Sequence, residues 1–171
     1  MEQWVVVDGY NVINAWPALL ARQQLNLQAA RDDLLERLAD YQGYWGGRVL
    51  VVFDAHLVKG SVEKRERWVG IEVVYTREGE TADNYIERTV ARLADGRNQV
   101  RVATSDALEQ VMILARGASR ISAREFIAEV ERVRGAGQKQ HRQARALKPN
   151  ALENQLNADV RRRLDGIRRK E

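Results

Sequence analysis

The sequence predicts an α/β sandwich, a mainly parallel sheet covered by helices on both faces. Three observations carry this reading. Short β-branched and aliphatic runs ("QWVVVD", "RVLVVFD", "IEVVYT", "QVRVATSD") recur along the chain, and stretches with apolar residues three and four apart separate them. The runs are apolar almost without interruption, which suits strands buried on both faces.

The first strand covers 3–8. A helix over 27–45 follows, with Leu27, Ala30, Leu34, Leu35, Leu38 and Tyr41 at helical spacing, Asn26 as N-cap and Gly46-Gly47 at its end. The second strand covers 48–54 and the third 71–76. Between them, "AHLVKGSVEKRERWVG" (55–70) is long and charged, and reads as a functional loop or a short helix. A helix over 81–95 opens at Thr81 and stops at Gly96. The fourth strand covers 99–106, and a helix runs from about Asp106 to Arg116, stopped by Gly117. "SARE" (122–125) is a capping box, which opens a helix reaching about Arg134. Gly135 and Gly137 interrupt that helix. After Pro149, Leu152, Leu156, Val160, Leu164 and Ile167 mark one face of a separate amphipathic helix, with arginines on the other. The reading is thus a body over 1–135 and a basic helical C-terminal extension over 136–171, without internal repeats, a GxGxxG fingerprint or a Walker motif.

With 171 residues, 44% of them hydrophobic, the chain buries a substantial core without staples. It has no cysteine, so disulfides, thiolate zinc sites and a Cys nucleophile are excluded, and its two histidines, His56 and His141, are few for a histidine-based metal site. No signal peptide is visible and no apolar run is long enough to span a bilayer, so a soluble, cytoplasmic protein is expected. The net charge of +4 is uneven: residues 131–171 hold 12 Lys/Arg against 5 Asp/Glu, whereas residues 1–130 hold 16 against 19. A mildly acidic body with a basic tail fits a polyanion partner, although a solvated, salt-laced helix gives the same composition.

Acids follow every strand. Asp8 ends the first and Asp54 the second; Glu80 and Asp83, in "EGETAD", follow the third; Asp106 follows the fourth. In a parallel sheet all five face the carboxyl rim, where ligands of open α/β sheets bind. Two unit charges about 4 Å apart repel by roughly 4 kcal/mol at an effective dielectric near 20. A helix N-terminus returns only about 0.3–1 kcal/mol to each of Asp83 and Asp106. A divalent cation balances such a cluster, and hard oxygen donors favour Mg²⁺ or Mn²⁺ over Zn²⁺. Such an ion keeps open positions for phosphate oxygens and activates water. Taken singly, each acid also has an ordinary reading, as a helix cap (Asp83, Asp106), a turn residue (Asp54) or a solvated loop acid (Glu80). Asp8, accompanied by Gly9 and Asn11, is the hardest to read that way.

The motifs "VDGYNVI" (6–12), "VVFDAH" (51–56), "ETADNYIE" (80–87), "VATSD" (102–106) and "GASRISARE" (117–125) resemble, in order, the YacP-like branch of NYN domains, relatives of PIN-domain and flap nucleases. The resemblance spans residues 1–135. It implies a PIN-like three-layer α/β/α fold and metal-dependent ribonuclease activity. By motif, Asp8, Asp83 and Asp106 would bind the metal and Asn11 would orient water or a phosphate. Asp54 and Glu80 would support the metal ligands or a second metal, and Thr104 and Ser105 match hydroxyl positions beside the last acid. The branch includes a bacterial endoribonuclease that cleaves mRNA in a ribosome-dependent way, which makes mRNA and the ribosome expected partners.

Single-stranded RNA is held by stacked bases and by Lys/Arg on phosphates. Lys59, Lys64, Arg65, Arg67 and Trp68 on 55–70, with Arg120, are the candidates; Tyr10 and Trp16 could stack as well, or pack in the core. His56 reads as a loop hydrogen-bonder. Arg161, Arg162, Arg163, Arg168 and Arg169 suit ribosomal RNA or plain solvation. The expected activity is an endoribonuclease using metal-activated water. The alternative is a non-catalytic RNA- or ribosome-binding protein that keeps an acidic pocket. A phosphatase or phosphoacceptor domain would want DxD after the first strand, where position 10 is Tyr.

Overall fold

The computed structural model describes residues 2–94, 98–105 and 117–168. The chain divides into two compact units, residues 1–134 and 135–171. The first is built on a six-stranded sheet of β1 (Gln3–Asp8), β2 (Arg48–Phe53), β3 (Lys64–Trp68), β4 (Ile71–Tyr75), β5 (Gln99–Ala103) and β6 (Ser119–Ile121), in the order β3-β4-β2-β1-β5-β6. All neighbours are parallel except β3, which runs antiparallel to β4 at the edge.

Side chains alternate between two cores, as the pleat requires. On one face Val5, Val7, Val49, Val51, Phe53, Ile71 and Val73 pack against α1 (Gly9–Ala15), α2 (Pro17–Leu25), α3 (Leu27–Trp45) and the opening turns of α5 (Ala123–Arg168). On the other, Trp4, Val6, Leu50, Val52, Val74, Val100 and Val102 meet Ala82, Tyr85, Ile86 and Val90 of α4 (Ala82–Ala94). This is the three-layer α/β/α sandwich, with a mainly parallel sheet, that the sequence leads one to expect.

Helix ends follow local chemistry. Asn26 accepts a hydrogen bond from Ala29 N (3.0 Å), and Gly46 closes α3 in the left-handed region at φ 85°. At α5 the capping box forms in both directions, Glu125 N donating to Ser122 Oγ (3.2 Å) and Ser122 N to Glu125 Oε2 (3.0 Å).

Three expectations need correction. The 55–70 segment is a loop only as far as residue 63, because Lys64–Trp68 form β3. All five of its residues are exposed, as suits a strand at a sheet edge, so no apolar alternation betrays it. Residues 9–25, given no element from sequence, form α1 and α2, and Ser119–Ile121 add β6. Finally, α5 runs unbroken from Ala123 to Arg168 through Gly135, Gly137 and Pro149. Glycine costs a helix about 1 kcal/mol and proline about 3, and a helix of 46 residues carries both. The helix expected over 106–116 lies outside the described residues, as does Asp106. No helix among the described residues is long and apolar enough to cross a membrane.

Candidate active site

Strand order places a topological switch point beside β1. The chain steps from β1 outward to β2 and β4, and α4 then carries it back to β5 on the opposite side of β1. Ligands of such sheets bind where the connections diverge, at the strands' carboxyl ends. Asp8 ends β1 there and N-caps α1, its Oδ1 accepting from Asn11 N at 3.3 Å. Asn11 in turn closes the crevice, its Oδ1 accepting from Ser105 N, 94 residues away, at 2.9 Å. Ser105 Oγ accepts from Ala123 N (3.3 Å), so the corner after β5 is tied to α1 and α5. Thr104 beside it is fully buried.

Gly9 allows this turn. A Cβ there would fall 2.5 Å from Phe53 Cε1 and 3.1 Å from Val52 O, so α1 leaves β1 in contact with β2 only because the position lacks a side chain.

Asp54 sits one residue past β2, in register with Leu50 and Val52, hence on the α4 face. Its Oδ2 accepts from Ala82 N, the first residue of α4, at 3.1 Å; its Oδ1 accepts from His56 N at 2.9 Å and contacts His56 Nδ1. Burial works to raise the carboxyl's pKa, but the bonds from His56 N, the His56 ring and Ala82 N outweigh it, and Asp54 lies below the ordinary aspartate value. Asp83 lies in the first turn of the helix that Asp54 caps, with its side chain exposed. Asp54 thereby fixes the position from which Asp83 projects.

Glu80 has other partners. It is 9% exposed, receives Arg88 Nη2 at 2.8 Å and has Arg77 Nε at 3.5 Å; Arg88 also reaches Glu63 at 3.4 Å. The carboxylate is held within an arginine-rich ion cluster, at which only the three-residue spacing of 77 and 80 hints in the sequence. Among the described residues no three His, Asp or Glu side chains are grouped to hold a metal ion.

A family model for the YacP-like NYN domain matches residues 5–169. The chain belongs to that family. NYN domains are PIN-like, nuclease-type domains, and the fold agrees with the family. YacP of Bacillus subtilis (strain 168) is 46% identical over 145 residues, 85% of each chain. A crystal structure of Rae1 (YacP) from Bacillus subtilis superimposes with a TM-score of 0.73 at 43% identity, covering 96% of this chain and 94% of that one. A mutant of the same protein gives 0.73 at 41%, covering 85% of each.

In this NYN domain the predicted RNA-binding residues scatter. Lys64 pairs with Glu66, Arg65 with Glu63 at 2.8 Å. Because β3 runs antiparallel, Lys64 lies beside Tyr75 at the carboxyl rim, whereas Arg67 and Trp68 lie opposite Glu72 and Ile71 at the other end. Four residues of strand span about 13 Å, so Trp68, 36% exposed, is remote from Asp8. Lys59 is exposed on the loop after β2. Arg120 is half-buried and donates from Nε to Thr104 O at 3.1 Å, beside the switch point. Trp16 is buried under Arg37, and Tyr10 packs 5.2 Å from the Phe53 ring while its hydroxyl accepts from Arg31 at 3.2 Å. Neither ring is a free platform. His56, bonded to Asp54, is the loop hydrogen-bonder that its position suggested.

Proposed function

We propose that this chain is a Mg²⁺- or Mn²⁺-dependent endoribonuclease that cleaves RNA by in-line attack of water, with mRNA at the ribosome as its substrate. The supporting observation is the Asn11 bridge, which locks the carboxyl ends of β1 and β5 together beside Asp8 at the switch point. The donor chemistry fits a hard cation. Asp8 and Asp83 are the described candidates, Asp106 the third from sequence, and Mg²⁺ needs only one or two carboxylates because it retains waters. A bound cation would lower the pKa of water and stabilise the leaving oxygen.

The chain's own groups have separable tasks. Asn11, its Oδ1 engaged with Ser105, presents its Nδ2 donors to a phosphate oxygen. Asp54 holds His56 and the start of α4, a positioning role rather than a ligand's. Glu80, neutralised by Arg88, secures the same helix. Arg120 and Lys59 are the cations placed to meet the RNA backbone near the rim, and the basic tail is a candidate contact to ribosomal RNA. Asp8→Asn and Asp83→Asn, assayed on mRNA with and without translating ribosomes in Mg²⁺ and in chelator, test the reading. Loss of cleavage with RNA binding retained supports it. Unchanged cleavage in both variants refutes the catalytic assignment, and wild-type binding without cleavage under every condition leaves the non-catalytic RNA-binding alternative.

A further inference from the structure

The loop after β2 exposes three aliphatic side chains beside the acid rim. Leu57, Val58 and Val62 are 85%, 58% and 78% exposed. The loop carrying them is a well-bonded knuckle. Val58 N donates to Ala55 O (2.9 Å), Ser61 N to Val58 O (3.0 Å) and Ser61 Oγ to Ala55 O (3.1 Å). The 76–80 turn braces it: Gly60 N donates to Glu78 Oε2 (2.7 Å), Glu78 N to Ser61 O (3.0 Å) and Gly79 N to His56 O (3.1 Å). His56, at its root, is bonded to Asp54. Folding does not require these aliphatic side chains to be held in water, and their grouping on one braced backbone beside the acid rim is what suits them to a contact.

Its place says with what. The knuckle leaves β2 at the carboxyl end, directly after Asp54. Among the described residues no exposed aromatic ring serves that rim: Phe53 is buried, Tyr10 and Tyr75 pack on it at 5.2 and 5.4 Å, Trp68 lies at the far end of β3, and Tyr44 lies in the last turn of α3. The apolar surface at the rim is therefore aliphatic.

We infer that Leu57 and Val58 form a wedge that packs against the face of an unpaired RNA base next to the phosphodiester held at the acid rim, while Lys59 meets the adjoining phosphate. The inference rests on the ribonuclease reading above. The apolar surfaces of single-stranded RNA are its base faces, and aliphatic side chains inserted at a base step hold neighbours unstacked. Lys59 follows the wedge directly and has no ion pair among the described residues, so its charge is available to the backbone. A protein-binding surface of standard size buries about 800 Å² per partner, more than three aliphatic side chains offer.

The test is equilibrium binding of the full chain in chelator to a single-stranded RNA carrying 2-aminopurine at each position in turn. Wild-type binding should brighten the probe at one position, as its stacking is lost. The Leu57→Ser, Val58→Ser double variant should lose that brightening and bind about tenfold more weakly, with an unchanged melting temperature because both side chains are in solvent. Equal brightening and equal affinity in the variant overturn the wedge, leave the ribonuclease reading intact and give the patch to a protein partner. Failure of the wild type to bind this RNA in chelator and in Mg²⁺ alike overturns the wedge, and cleavage at the ribosome remains the separate test of the ribonuclease reading.

Discussion

Replacing Asp54 by Ala removes one acceptor from three donors at once: Ala82 N, His56 N and the His56 ring. Loss of the α4 cap costs about 1 kcal/mol. The favourable charge at that helix N-terminus contributes about 0.3–1 kcal/mol, and a half-exposed His56 N–H left to water about 0.5–1 kcal/mol. The expected loss is about 2–3 kcal/mol, and Asp54→Asn, which keeps an acceptor oxygen, should lose about half as much. At a urea m-value near 2 kcal/mol/M, the Ala variant's midpoint falls by about 1–1.5 M. The pH dependence has a definite sign. The folded pKa of Asp54 is depressed, so its contribution is fully present above the unfolded value near 3.9 and is lost as pH falls through the folded value. Urea melts at pH 7 should therefore separate wild type from Asp54→Ala, and the gap should narrow as the pH is taken below the ordinary aspartate value and down through the folded one. If both variants lie within about 0.5 kcal/mol of wild type at pH 7, Asp54 does not anchor α4 and is free for direct chemistry.

Gly9→Ala drives a Cβ into the Phe53 ring and should cost about 2–3 kcal/mol by chemical denaturation; an unchanged midpoint would mean α1 shifts freely. Val69 is strained in the opposite sense. It takes φ 45° in the two-residue turn before Gly70, 81% exposed, so Val69→Asn should stabilise by about 1 kcal/mol and raise the melting temperature by about 2–4 °C. On the other rim, Glu129 accepts from Arg101 Nη1 and Nη2 at 2.9 Å each and from Tyr41 Oη at 2.5 Å. Burial, then the Glu129 bond, push the Tyr41 hydroxyl well above its ordinary range. Glu129→Ala strands Arg101 and should cost about 2–3 kcal/mol in the same assay, without altering RNA cleavage.

What was legible follows from which forces write on sequence. β1, β2, β4 and β5 are buried on both faces, so their continuous valines announce them, and α3 and α4 carry caps and periodic apolar residues. α1 and α2 were silent. α1 owes its start to Asp8, already read as a strand end, and α2 opens at Pro17, a good first helical residue hidden behind a buried tryptophan. β3 was silent because an edge strand avoids apolar patterning. At the site, sequence located the acids after the strands but not their tasks. Asp54 caps one helix and Glu80 answers two arginines, compensation from residues up to 28 positions away. Repulsion among five free carboxylates therefore overstates the need for a cation, since fixed dipoles and guanidinium groups already neutralise part of that charge.

β1 precedes the other five strands along the chain, yet its pairing is complete only once β5 has been made. β1 needs β5, and Asn11 needs Ser105, across more than half of the chain. Contacts that distant form late, after the intervening loop entropy has been overcome. A nascent or nicked chain ending before β5 can therefore carry Asp8, Asp54 and Asp83 yet lack the crevice that Asn11 and Ser105 close.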